Sequence, residues 1–123
     1  MIYSESILSC ADNSGALLLR CINIYNTKAR NSSKPANLIL VSIKTLRLLR
    51  KIKIGELKKA LFVRGRKWMT RLNGTSLKFN QNAAILVNDK LKPLNNRVFG
   101  PIYREIIFNK NLFKFNFLLY STI

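Results

Sequence analysis

The sequence predicts a mainly β fold, a small antiparallel β-barrel formed by a single domain over residues 1–123. Apolar and polar residues alternate with a period of two along most of the chain, and turn-forming residues separate the alternating runs. Only one short stretch near the C-terminus favours a helix. A chain of 123 residues has the usual size of one domain and can bury a core without disulfide or metal support.

The first part of the chain contains three predicted strands, at residues 4–11, 17–25 and 38–46. A turn joins the first two, and its residues are Asp12, Asn13, Ser14 and Gly15. The three polar side chains satisfy the backbone locally, and we expect Gly15 to adopt a positive φ. The polar, basic segment 26–37 has no periodicity and predicts a loop.

The second part of the chain continues this pattern. A basic segment at residues 48–54 and a turn at Gly55 precede a fourth predicted strand at residues 56–64. Within residues 69–80, Asn73 and Gly74 lie between strand-like residues and give the strongest hairpin signal in the chain. Residues 83–88 predict a buried strand.

A C-terminal element is predicted around Pro101. Gly100 belongs to a turn, and Pro101 begins a short helix that extends to Phe108. In this prediction Phe99 anchors the turn in the core and Arg97 faces outward. The apolar and aromatic tail, residues 111–123, is compatible with a helix or a strand.

The charge of the chain indicates an anionic partner. There are 22 Lys and Arg residues against five Asp and Glu residues, which gives a net charge of +17. Such self-repulsion opposes a compact state and favours a polyanionic partner. Because 48% of the residues are hydrophobic, the chain is not a disordered basic tail. Nucleic acid and an anionic membrane surface are the two partner classes that remain.

The composition excludes most catalytic and metal chemistry. The chain has no His, and its two Cys residues, Cys10 and Cys21, are too few for a zinc site. We expect both to be reduced core residues rather than a disulfide. The five acids are scattered and form no paired-carboxylate site. No apolar stretch is long enough for a transmembrane helix, and the N-terminus resembles neither a signal peptide nor a transit peptide.

Basic residues in three groups are the candidate RNA-binding residues, because five acids cannot pair with most of them. With one tryptophan, the set is Lys28, Arg30, Lys34, Arg47, Arg50, Lys51, Lys53, Arg64, Arg66, Lys67, Trp68 and Arg71. In the Arg64–Trp68 stretch, Gly65 would let the backbone approach a phosphate. Trp68 would either stack on a base or ribose, or pack over the barrel rim. The aromatic residues of the tail favour a core or protein-contact role.

Several strings of residues occur in a distinctive order. They include Ala11-Asp12-Asn13-Ser14-Gly15-Ala16, Ile54-Gly55-Glu56, Asn73-Gly74-Thr75-Ser76 and Arg97-Val98-Phe99-Gly100-Pro101. In their order and spacing, and in total length, the chain resembles the family of the universal large-subunit ribosomal protein number fourteen. The resemblance implies a five-stranded β-barrel with a short C-terminal helical element, no enzymatic activity and no cofactor.

The resemblance also implies a set of partners. They are large-subunit rRNA, small-subunit rRNA through an intersubunit bridge, the neighbouring large-subunit proteins three and nineteen, and the ribosome silencing factor. Membrane insertion is not among these roles. The surface that carries Arg97, Lys110 and Lys114 would lie at the subunit interface and contact a partner protein or rRNA. The alternative for Arg97 is an internal ion pair with Glu105.

The chain departs from the family pattern in ways that bear on its location. Leu17, Leu18 and Leu19 stand where the family commonly has basic residues, and Pro35-Ala36-Asn37 replaces the usual end of the basic loop. The three leucines and the aromatic tail suit the extra protein neighbours of mitochondrial ribosomes, whereas the changed loop end alters the expected RNA path. The composition favours AT-rich codons, and residue 1 coincides with the family's own start, which leaves no room for a targeting extension.

The simplest account is therefore a mitochondrial large-subunit protein that is encoded in the organelle; a plastid or an AT-rich bacterium is the alternative. The competing function is a free-standing basic barrel that binds single-stranded nucleic acid. The two functions differ in one simple respect, because a free-standing module should remain soluble without rRNA.

Overall fold

The structure, a computed structural model, describes residues 2–25, 32–33, 35–47, 51–108 and 118–123. Most of the predicted loop at 26–37, and part of the predicted tail at 111–123, lie outside these residues. The elements within them are β1 (Ile2–Tyr3), β2 (Ile7–Cys10), β3 (Ala16–Ile24), β4 (Ser32–Ser33), β5 (Leu38–Leu46), β6 (Leu57–Arg64), β7 (Met69–Thr70), β8 (Ser76–Leu77), β9 (Ala83–Val87), β10 (Arg97–Ile102), α1 (Arg104–Phe108) and β11 (Leu118–Thr122).

Five of these strands close into a barrel in the order β2-β3-β5-β6-β9. Four neighbouring pairs are antiparallel, whereas the pair that closes the ring is parallel, with Ser9 beside Ala83 and Cys10 beside Ala84. The predicted barrel is confirmed, but the prediction that all its strands run antiparallel is wrong. Strand directions cannot alternate all the way round a ring with an odd number of members, so one pair must be parallel.

The hydrophobic core has two parts, one inside the barrel and one outside it. Alternate residues of each strand point inward, and among the largest of these are Phe62 and Leu86. The residues next to them, Leu61 and Ile85, point outward and pack in a second cluster with Tyr103. Strand β9 and residues 60–64 of β6 are therefore buried on both faces, because β10 and α1 cover their outer face.

The C-terminal element differs from the prediction. Gly100 and Pro101 lie inside strand β10 rather than in a turn and at the start of a helix, and α1 begins at Arg104. The strand pairs in parallel with β11, and the register shifts between Val98 and Pro101, so a residue without an N–H is tolerated there. Phe99 is 42% exposed and Val98 is buried, so the expectation that Phe99 anchors this segment in the core is wrong. Successive residues of a strand face opposite sides, and Val98 occupies the inner one.

The two turns that the sequence marks most clearly form as predicted. Gly15 has a φ of 95°, a conformation that glycine adopts without strain. Strands β7 and β8 form the expected hairpin, with Thr70 opposite Ser76. At its tip, Asn73 Oδ1 accepts a hydrogen bond of 3.1 Å from the backbone N–H of Thr75. The hairpin leaves the barrel directly after β6, and so it carries the residues that follow Arg64.

Candidate nucleic-acid interface

Every acidic side chain of the chain lies within the described residues and already has a partner. Four of them form ion pairs, which join Glu5 to Arg20, Glu56 to Lys58, Asp89 to Lys59 and Glu105 to Arg71. The fifth, Asp12, is 4% exposed and accepts hydrogen bonds from the backbone N–H groups of Ser14 and Leu86, each at 3.0 Å. Five carboxylates thus cannot neutralise 22 basic side chains, and the positive charge of the surface needs an external anion.

Both cysteines are free thiols, as expected from the sequence. Cys10 Sγ donates to Asp12 Oδ1 at 3.0 Å. Burial, together with the negative charge of Asp12, raises the pKa of the Cys10 thiol to about 12. Burial also raises the pKa of Cys21. Because the thiolate is the reactive form, neither cysteine is poised for nucleophilic or redox chemistry.

We expect the folded protein to resist alkylation by iodoacetamide at pH 8 and to react at both cysteines after unfolding in urea. The same pKa shift makes stability pH-dependent. Above pH 9 the Cys10 thiol ionises in the unfolded chain but not in the folded one, so the free energy of unfolding should fall as pH rises from about 9 to about 12. Mass spectrometry of the alkylated protein measures the first effect and urea titrations measure the second. Rapid labelling of Cys10 in the folded state would contradict this account.

Arg64 is a structural residue rather than a surface cation. It is 6% exposed, and its Nη1 donates to the backbone carbonyls of Phe99 at 2.7 Å and Pro101 at 3.4 Å. Burial lowers the pKa of its guanidinium. The group is enclosed between β6 and β10 and cannot reach a phosphate outside the protein. We therefore correct the prediction that Arg64 belongs to the RNA-binding set.

The segment that follows Arg64 brings basic residues to the surface. Arg66 and Lys67 are exposed, and the backbone N–H of Arg66 donates to Asn82 Oδ1 at 2.9 Å, which fixes the start of the segment. Gly65 itself is buried, and its carbonyl accepts a hydrogen bond of 3.0 Å from the N–H of Phe79. The Gly65 carbonyl is therefore engaged within the protein, and the close approach of this backbone to a phosphate stays a prediction.

Trp68 projects from this segment with 61% of its surface exposed. That exposure favours the first of the two roles considered for it, since a side chain packed over the barrel rim would be mostly covered. The ammonium group of Lys78 lies 5.1 Å from the centre of the ring system. Sequence reasoning did not single out Lys78. The hairpin register could have predicted this contact. A register that places Met69 opposite Leu77 also places Trp68 opposite Lys78.

Arg71 fixes the hairpin to the C-terminal element. Its Nε lies 2.5 Å from Glu105 Oε1 on α1, and its Nη2 donates to the carbonyl of Ile123. The ion pair that was considered between Arg97 and Glu105 is made by Arg71 instead. A guanidinium held in this way orients the hairpin, and the predicted RNA contact of Arg71 stays a prediction.

The remaining candidates fall into two groups. Arg47, Lys51 and Lys53 are exposed. The backbone N–H of Arg47 donates to the carbonyl of Gly15 at 2.9 Å, which brings this basic segment beside the predicted turn. Outside the described residues lie Lys28, Arg30, Lys34, Arg50, Lys110 and Lys114.

Comparison with known families identifies the chain. Residues 1–116 match the sequence profile of the family described as Ribosomal protein L14p/L23e. The chain belongs to this family. It is a structural constituent of the large ribosomal subunit and not an enzyme, as the resemblance implied.

Membership of the L14p/L23e family accounts for the combination of features described above. A protein of the ribosome uses surface cations rather than a catalytic centre. In this chain the acidic side chains pair with other groups of the same protein. In the described part of the chain, no helix is long and apolar enough to cross a membrane.

Arg97 is exposed, and its guanidinium carbon lies 5.6 Å from the centre of the Phe99 ring. The predicted outward orientation of Arg97 is confirmed.

Proposed function

We propose that this L14p/L23e protein binds large-subunit rRNA through basic side chains that the barrel exposes. The proposal rests above all on the charge balance: every carboxylate is already engaged, and the net charge is still +17. The exposed residues of the proposed interface are Arg47, Lys51, Lys53, Arg66 and Lys67. Phosphates of rRNA supply the missing negative charge, and a rigid barrel holds the cations in a fixed arrangement.

The sequence adds four further residues to this interface. Lys28, Arg30, Lys34 and Arg50 belong to basic segments that flank the described strands β3 and β5. They remain proposed phosphate contacts on grounds of charge alone.

A second surface is proposed to face the small subunit. Arg97, with Lys110 and Lys114, would contact small-subunit rRNA or a protein there. The cation–aromatic pair of Arg97 and Phe99 supports this role because it presents charge and apolar area together. The proposed protein neighbours are the large-subunit proteins three and nineteen and the ribosome silencing factor.

The proposed location is a mitochondrial ribosome. Leu17 and Leu18 on β3 are 40% and 41% exposed, and Ile7 on the neighbouring strand is exposed as well. An apolar outer face on an otherwise basic protein suits an additional protein neighbour. The bias of the composition towards AT-rich codons supports an organellar genome.

Salt dependence tests the RNA-binding proposal. If about eight phosphates are neutralised, a plot of log affinity against log salt should have a slope near −6, so that each doubling of salt weakens binding about 60-fold. Filter binding of a large-subunit rRNA fragment over a range of KCl concentrations measures this slope. A slope shallower than about −2 would refute the proposal. Equal affinity for unrelated single-stranded RNA would favour the free-standing module instead.

Single substitutions locate the interface. Arg66→Ala should make the slope shallower by about 0.7–0.9, the value for one lost phosphate contact. Lys59→Ala is the matched control, because Lys59 already pairs with Asp89 and should leave the slope unchanged. Equal changes in the two variants would mean that net charge alone, rather than this surface, determines binding.

A further inference from the structure

A cavity of about 210 Å³ opens beside the exposed tryptophan. Its lining residues come from the segment after β6, from the loop before β5 and from the residue before α1. They include Gly65, Lys67, Trp68, Met69, Thr70 and Tyr103. Of these residues only Lys67 belongs to the phosphate contacts proposed above, and the cavity itself has no part in either proposed surface.

The size and walls of the cavity suit one flat ring system. Pockets for drug-sized ligands have volumes of roughly 300–1,000 Å³, so this cavity is too small for a complete nucleotide or a folded peptide. Trp68 and Tyr103 are both lining residues, but Tyr103 is buried, so the exposed Trp68 supplies the accessible aromatic ring. Met69 adds a polarisable thioether. The hydroxyl of Tyr103 donates to the carbonyl of Gly65 at 3.5 Å, so its polar end already has a partner within the protein.

The charges around the cavity select the chemistry of its occupant. The ammonium group of Lys78 lies over the Trp68 ring, and Lys67 belongs to the cavity lining. The acid on the neighbouring helix, Glu105, is held by Arg71. An occupant that brings a flat ring together with negative charge therefore fits better than an aromatic side chain of a neutral or basic protein.

We propose that this cavity receives one unstacked base of the bound RNA, which stacks on Trp68 while its backbone phosphate lies near Lys67 and Lys78. The inference rests on the proposed RNA-binding function and specifies a subsite within it. A base in a duplex has both faces covered by its neighbours, so the ligand is a single-stranded or bulged nucleotide. Stacking on an aromatic face does not depend on which base is bound, so the subsite accepts different bases.

Fluorescence of the full-length protein tests this subsite directly, because Trp68 is the only tryptophan of the chain. The two probes are a short oligoadenylate and an abasic ribose-phosphate chain of the same length and charge. The oligoadenylate should quench most of the Trp68 emission at saturation, whereas the abasic chain should bind without comparable quenching. Trp68→Ala should weaken oligoadenylate binding about tenfold, and Trp68→Phe should retain most of the affinity.

Tyr3→Ala is the matched control, since Tyr3 is another exposed aromatic side chain and belongs to neither of the surfaces proposed above. Its affinity for oligoadenylate should remain within about twofold of the parent, because it is not among the cavity residues. The subsite is refuted if both probes bind with a steep salt dependence but neither quenches Trp68, and the RNA-binding proposal then survives. If neither probe binds, the RNA-binding proposal fails first. A protein side chain in the cavity of an assembled particle would also overturn the inference.

Discussion

Gly100→Ala is expected to destabilise the fold by about 3–5 kcal/mol, the sum of backbone strain and of lost hydrogen bonds to a charged group. Gly100 has a φ of 81°, which costs any residue with a Cβ about 1–2 kcal/mol. A Cβ at this position would also overlap Nη1 of Arg64. Arg64 is buried and cannot move aside without losing its hydrogen bonds to Phe99 and Pro101. Urea unfolding followed by circular dichroism measures the loss.

Gly74→Ala separates the two contributions. Gly74 has nearly the same φ, 85°, but a Cβ there would meet open space. We expect it to cost only the strain, about 1–2 kcal/mol. Equal losses for the two variants would show that Arg64 adjusts freely, and its role in joining β6 to β10 would then be wrong.

Asp12→Ala is expected to cost about 3–5 kcal/mol, because it leaves buried donors without an acceptor. The Asp12 carboxylate accepts from the N–H of Ser14 within the turn and from the N–H of Leu86 in β9. It also accepts the thiol of Cys10. One side chain therefore closes the turn and ties it to the strand that completes the ring. Thermal and urea unfolding of the variant measure the effect.

Asp89→Ala is the control for this prediction. Asp89 has 94% of its side chain exposed and pairs with Lys59, so its loss should change stability by less than about 1 kcal/mol. If Asp12→Ala lowers the free energy of unfolding no more than Asp89→Ala does, the buried hydrogen bonds of Asp12 do not stabilise the fold. Water would then accept the hydrogen bonds of the N–H groups that Asp12 leaves behind.

Local patterns were sufficient to predict most of the barrel. The predicted strand at residues 38–46 matches both ends of β5. The predicted strand at residues 83–88 matches β9 to within one residue, and its signal was a short, continuous apolar run rather than alternation. Asn73 and Gly74 predicted the hairpin because few other dipeptides suit such a turn. The parallel closing pair also follows once five strands are assumed, since an odd ring cannot alternate.

Features set by distant contacts were not predictable in this way. β10 forms because residues 97–102 meet β11 and the second core, whereas the local signal at Pro101 favours a helix start. Arg64 resembles any surface cation in the sequence, and only the carbonyls of Phe99 and Pro101, more than 30 residues away, make its burial tolerable. The position of Lys78 over Trp68 required the hairpin register as well as its existence.

The parallel pair that closes the barrel also slows folding, because its two strands are far apart in the sequence. The contact between Ser9 and Asn82 at this seam joins residues 73 positions apart, and bringing such distant segments together costs about 4 kcal/mol of loop entropy before any contact compensates for it. At a synthesis rate of about 5–20 residues per second, β2 waits for several seconds before β9 exists. Throughout that interval its open edge is available to other strands. The nascent protein therefore depends on its last barrel strand for protection from aggregation. A chain that ends before Ala83 lacks β9 and cannot close the barrel.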